Sequence, residues 1–252
     1  MPATVVLPRL SWGDPAAHRH ALLIHGLGSS GALMWRFGTA LAEAGWHAVA
    51  VDLRGHGSAP RALDYTLAAY AADVGAVAPA QGGSWDAVVG HSLGGAAATL
   101  AAADRAEWTQ RLVLIDPALH LLPADRETVR SSQEAAFADT SIEAVRRQHP
   151  RWHPQDVELK AQAAQLASAW AVEQTSSQNP AWDVRAAARR LSIPTHVIGS
   201  DPEVYSIFTG PTAAEVLAAN PRITMSVVPR AGHSPHRDRP EATIAALHEA
   251  LL

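Results

Sequence analysis

Short, uninterrupted apolar runs alternate along this chain with longer stretches in which small apolar residues recur at helical spacing. "ATVVLPRLSW" (residues 3–12) reads as strand material, closed by a Gly13-Asp14-Pro15 turn. "HALLIHG" (20–26) is a short apolar run suited to a strand buried on both faces. A glycine-rich loop, "GLGSSG", follows, and "LMWRFGTALAEAG" predicts a helix closed by Gly45. "WHAVAVDLRGHG" predicts the next strand and turn, and residues 66–80 an alanine-rich helix capped by Thr66. "WDAVVGH" then reads as a strand, "LGGAAATLAAAD" as a helix and "RLVLIDP" as a strand.

The rhythm breaks at Ala118. From there to Leu191 the periodicity is helical, with no convincing strand. Strand and helix then alternate again through "IPTHVIGSD", "PTAAEVLAAN", "RITMSVVP" and "PEATIAALHEALL". Such alternation implies an α/β fold: a mostly parallel, doubly wound sheet with helices on both faces. The expected core is residues 1–117 and 192–252, with 118–191 a helical insertion between two core strands.

Composition narrows the function. The 252 residues can bury a sizeable core without a disulfide or metal staple. A formal net charge of -4 and the absence of long basic runs argue against a nucleic-acid partner. There are no cysteines, which removes disulfides, thiolate metal sites and cysteine nucleophiles. The first residues lack the charged and apolar regions of a signal peptide, and no apolar run is long enough for a membrane span, so a cytoplasmic location is expected. The histidines are scattered. His18 and His20 are spaced to share a metal, but two histidines in a loop before a strand define no site, and neither metal nor cofactor is expected.

The candidate chemistry lies in "VVGHSLGGAAATL" (88–100), where Ser92 sits between Gly90 and Gly94 at a strand-to-helix junction. In a parallel sheet, ligand sites lie beyond the carboxyl ends of the strands. A tight turn there pushes the serine Oγ outward and brings backbones close enough to require glycine on either side. The helix that follows aims free N–H groups at the same spot. Serine needs a base. His233, after the last strand and preceded by Gly232, is favoured over His236. The base needs an orienting carboxylate. Asp201, in a Gly-Ser-Asp-Pro turn, is the favoured candidate, with Asp116 in "LVLIDP" the alternative; each also reads as a plain loop-initiating Asp before Pro. Main-chain N–H groups of Leu93 and of Leu27, in "HGLG", are candidate oxyanion donors.

These segments together resemble the α/β-hydrolase superfamily over nearly the whole length. "LLIHGLGSSG", "VAVDLRGHGSA", "DAVVGHSLGGAAA", "RLVLIDPA", "IPTHVIGSDPEV" and "VPRAGHSPHRDRPE" occur in the family's order. The resemblance implies Ser92 as nucleophile, Asp201 as acid, His233 as base and residues 118–191 as a helical cap. It implies a structural turn at "DLRGHGSA", so Arg54 and His56 are assigned no chemistry. Serine at the nucleophile position sets the chain apart from haloalkane dehalogenases and epoxide hydrolases, which use Asp. Aminopeptidase relatives carry acidic cap residues; here those side chains sit at spacings of solvated helix faces.

The expected activity is hydrolysis of a small, largely apolar carboxylic ester or lactone through an acyl-enzyme. Cofactor-free perhydrolase or haloperoxidase-type chemistry and a slow-turnover, receptor-like role are the competing readings. Trp152, Trp170 and Trp182 in the insertion, and Trp35 after the oxyanion loop, are candidate pocket residues, although large aromatics also serve ordinary packing. "TSSQNP" (175–180) reads as a loop able to act as a hinge.

Overall fold

The computed structural model describes residues 2–252. Seven strands form one sheet: β1 (Arg9–Trp12), β2 (Arg19–Ile24), β3 (Trp46–Val51), β4 (Ala87–His91), β5 (Leu112–Ile115), β6 (Thr195–Gly199) and β7 (Ile223–Val227). Their order is β1-β3-β2-β4-β5-β6-β7, with β1 antiparallel to β3 and every other pair parallel. The helices are α1 (Trp35–Glu43), α2 (Leu67–Gly75), α3 (Leu93–Asp104), α4 (Pro123–Ala138), α5 (Ile142–Gln148), α6 (Pro154–Leu166), α7 (Ala169–Ser177), α8 (Arg185–Arg190), α9 (Gly210–Ala219), α10 (Pro235–Asp238) and α11 (Pro240–Ala250). None of the helices among the described residues is long and apolar enough to cross a membrane.

The central strands are apolar on both sides because both faces are covered. β3, β4 and β5 are buried along their whole length. On one face, Phe37 and Leu41 of α1 and Leu247 of α11 pack against Leu23, Ala50, Val89 and Ile115. On the other, α2, α3, α8 and α9 cover Leu22, Val88, Leu112 and Val197. Two neighbouring central strands feed opposite faces: the chain leaves β2 toward α1 and β4 toward α3. Loops that diverge this way open a crevice at the carboxyl edge of the sheet, where ligands bind in such folds. Residues 25–30 and Ser92 lie at that edge.

Most predicted elements occur, with shorter bounds. β1 begins only at Arg9: Val5 N–H donates to Asp73 Oδ1 (2.8 Å) instead of to a strand, and Arg54 Nη2 donates to the Ala3 carbonyl (3.0 Å). Arg54 and Asp73 form a buried ion pair at 2.6 Å, so Arg54 anchors the N-terminal segment to α2. Thr66 caps α2 as expected, its Oγ1 accepting from Ala69 N–H at 3.2 Å, but the helix stops at Gly75.

Five helices, α4 to α8, fill the stretch between β5 and β6. They are not one unit. α8 packs on α3 and α9, with the core. α6 is held to α1 through Asp156, a fully buried carboxylate that accepts from Trp35 Nε1 (2.8 Å) and from Arg36 Nε (3.0 Å) and Nη2 (2.8 Å). α4 contributes no buried residue. The expected hinge is no loose loop: Thr175–Ser177 extend α7, and Gln178 and Asn179 accept from Tyr65 N–H and Leu67 N–H at 2.7 and 2.8 Å.

Candidate active site

Ser92 joins β4 to α3 with φ 52° and ψ −116°, a region that non-glycine residues avoid at a cost of about 1–3 kcal/mol. The surrounding packing forces this turn. A Cβ at Gly94 would lie 2.4 Å from the Ile24 carbonyl oxygen, and one at Gly90 would lie 2.7 Å from that of Gly94. The two glycines therefore let β4, α3 and the β2 end close on each other. Leu93 opens α3, so its N–H has no carbonyl acceptor within the helix and stays free for a ligand.

The hydroxyl meets a histidine. His233 Nε2 lies 2.9 Å from Ser92 Oγ, and its Nδ1 lies 2.7 Å from Asp116 Oδ2. Asp116 follows β5, next to β4, and is fully buried. It also accepts from Ser206 Oγ at 2.6 Å and Ile207 N–H at 3.2 Å. Burial on its own would raise the carboxyl pKa, but these hydrogen bonds, led by His233, hold it below the ordinary value. His233 is held in turn from behind, where His91 Nε2–H donates to its carbonyl at 2.8 Å.

Asp201, the favoured carboxylate from sequence, is elsewhere. It follows β6, two strands from β4. Its Oδ2 accepts from Arg230 N–H (2.7 Å) and its Oδ1 from Glu203 N–H (3.0 Å), so it closes a surface turn and does not reach His233. His236, the alternative base, is fully buried with both ring nitrogens unpartnered and makes no bond to Ser92.

Two other histidines shape the loop that carries Leu27. His25 Nδ1–H donates to the Gly26 carbonyl (2.7 Å), and its Nε2 accepts from Leu53 N–H (3.1 Å). His56 Nδ1–H donates to the Arg54 carbonyl (2.9 Å), and its Nε2 accepts from Gly28 N–H (3.1 Å). Each ring needs one bare nitrogen, so both are neutral. Burial pushes their pKa values down, to about 3 for His25 and about 4 for His56. Gly26 packs on the serine, where an added Cβ would lie 3.1 Å from that of Ser92. Leu27 thus faces the cavity beside Ser92.

That cavity measures about 360 Å³. It is bounded by Ser92, His233 and Leu27 below and by residues of α4, α6 and the preceding loop above, among them Val129, Gln133, Trp152 and Lys160. Of the four candidate tryptophans, Trp152 lines it, with its Nε1–H donating to Asp238 Oδ1 at 2.7 Å. The other three do not. Trp35 is engaged with Asp156, Trp182 is buried and donates to the Ala118 carbonyl (2.7 Å), and Trp170 is exposed, edge-on to Tyr65. The wall is also not purely apolar: Ser29, Gln133, His149, Lys160 and Arg237 add polar groups to it. Lys160, Arg237 and Tyr205 were not legible as site residues. Lys160 falls in the helical insertion and Arg237 in the loop read as carrying His233, and only the fold turns them inward.

A mostly parallel sheet with a serine, histidine and aspartate hydrogen-bonded in series at its carboxyl edge defines the α/β-hydrolase class. The chain belongs to the alpha/beta hydrolase family, whose sequence profile matches residues 21–246. It is 37% identical over 124 residues to lipase LipV of Mycobacterium tuberculosis, covering 49% of this chain and 46% of that protein. It is 39% identical over 100 residues to an N-formylmaleamate deformylase of Pseudomonas putida, covering 39% of this chain and 37% of that protein. These matches span less than half the length of either curated relative. Among solved structures, an N-formylmaleamic acid deformylase from Pseudomonas putida S16 superposes with a TM-score of 0.80, at 25% identity over 96% of both chains.

Proposed function

We propose that this protein is a serine hydrolase that cleaves a small carboxylic ester or lactone through an acyl-enzyme. The observation that carries the reading is the pair of hydrogen bonds from His233, 2.9 Å to Ser92 Oγ and 2.7 Å to Asp116 Oδ2. With Nδ1–H committed to Asp116, the bare Nε2 accepts the serine proton as Oγ attacks the carbonyl carbon. The oxyanion that forms is met by the N–H groups of Leu27 and Leu93. The imidazolium, stabilised by Asp116, returns the proton to the departing alkoxide. Water then repeats the sequence on the acyl-enzyme and frees the acid.

A second reading is cleavage of an acyl C–N bond by the same steps, with an amine as leaving group. The similarity to the N-formylmaleamate deformylases favours it. Both readings require an activated Ser92. A fluorophosphonate probe is expected to modify Ser92 covalently, and Ser92→Ala to abolish labelling and lower hydrolysis by about a thousandfold or more. Labelling of another residue, or an active Ser92→Ala protein, would overturn both. Matched aryl esters and N-formyl amides then separate one from the other.

A further inference from the structure

Beside the proposed nucleophile, the cavity wall holds two cations that lack carboxylate partners. Arg237 follows His233 by four residues, in α10, and is 4% exposed. Its guanidinium lies over the Trp152 ring, 5.1 Å from the centroid, its hydrogen bonds are long, to Ser234 Oγ at 3.4 Å and Ser29 Oγ at 3.5 Å, and its buried Nε has no partner. Lys160 of α6 lines the same cavity, and its Nζ donates to the Gly28 carbonyl at 2.8 Å. Among the described residues, no carboxylate lies within ion-pair distance of either cation.

The neighbouring carboxylates are already used. Asp156 is taken by Trp35 and Arg36. Asp238 accepts from Trp152 Nε1 (2.7 Å) and Gly232 N–H (2.8 Å). Lys160 and Arg237 are thus left without a carboxylate of their own. Burial, and Arg237 nearby, push the Lys160 ammonium down to about 8, so it is still charged at neutral pH. A buried cation without a counter-charge is costly, and a bound anion removes that cost.

We propose that Lys160 and Arg237, with the Ser29 hydroxyl, form a subsite for a carboxylate carried by the substrate, close to its scissile carbonyl. A planar carboxylate can accept charge-assisted hydrogen bonds from the ammonium and the guanidinium together. The spacing is short. Lys160 grips the carbonyl of Gly28, next to Leu27, and Arg237 reaches Ser29, two residues from Leu27. A cavity of about 360 Å³ also limits the substrate to a small acid. This subsite rests on the Ser92 reading for its chemistry, but binding to it needs no serine.

The test is calorimetric binding of monomethyl glutarate and neutral dimethyl glutarate to the Ser92→Ala protein. The monoanion is expected to bind more tightly by about tenfold or more, as charge-assisted hydrogen bonds from buried groups provide. Adding Arg237→Gln or Lys160→Met is expected to erase most of that ratio, and Arg237→Lys to retain part of it. Circular dichroism of each variant establishes that it is folded. Equal affinity for the two esters, or a ratio unchanged in both folded charge-removal variants, would overturn the subsite. Failure of fluorophosphonate labelling would instead overturn the serine mechanism and leave the binding result standing.

Discussion

Asp116 Oδ2 lies 2.7 Å from His233 Nδ1, and the carboxylate making that contact is wholly removed from solvent. Its position is fixed by the hydroxyl of Ser206 and the N–H of Ile207, which arrive from the segment after β6. Asp116 itself has φ 36°, a second strained residue at the sheet edge after Ser92.

Asp116→Asn is therefore expected to keep the shape of the site but favour the wrong histidine tautomer, lowering kcat by up to about ten-thousandfold. Asp201→Asn touches only a surface turn and is expected to change kcat by less than about threefold. Both are to be assayed on one ester with circular dichroism as the control. A crippled Asp201→Asn beside an active Asp116→Asn would reverse the assignment.

Acid is expected to destabilise the fold well above the carboxylate range. His25 and His56 stay neutral in the folded protein down to about pH 3 and about pH 4. In the unfolded chain they take up protons near pH 6.5. The unfolded state thus binds more protons below about pH 6.5, and stability falls as pH falls. Each histidine contributes up to about 1.4 kcal/mol per pH unit. Urea midpoints measured from about pH 7.5 to about pH 5 should drop steadily, and a flat response would show that these rings protonate in the folded state.

Gly94→Ala should fail structurally before it fails chemically. The added methyl would stand 2.4 Å from the Ile24 carbonyl oxygen and 2.6 Å from that of His25, both backbone atoms of the sheet edge. Relief requires α3 to move, at a cost of about 1–3 kcal/mol or more. Thermal unfolding should show a Tm lower by several degrees, and an unchanged Tm would mean that the β2 end and α3 are less tightly seated than described.

The central strands were legible because burial on both faces leaves short apolar runs bounded by turn residues. Ser92 stood out because Gly90 and Gly94 answer to close backbone contacts, with each other and with the end of β2. The carboxylate did not, because Asp116 and Asp201 each follow a strand and precede Pro; strand order alone separates them, and it is a property of the assembled sheet. Residues 3–8 read as strand from their apolar content, but their backbone finds partners in Arg54 and Asp73. The tryptophans misled because a large ring fills interior space wherever the fold leaves it. Lys160 and Arg237 were hidden because charged residues in a helical insertion or a loop ordinarily belong to solvent.

The triple grip of Trp35 and Arg36 on Asp156 sets the terms on which this scaffold can be recombined. A chimera that exchanged residues 118–191 for a relative's segment would cut α6 away from α1 and strand a partly buried arginine against whatever replaced Asp156. α4, with no side chain in the core, is the exchangeable piece. Substrate range is thus best diversified by grafting α4 alone, while α6 travels with the sheet as part of one inherited block.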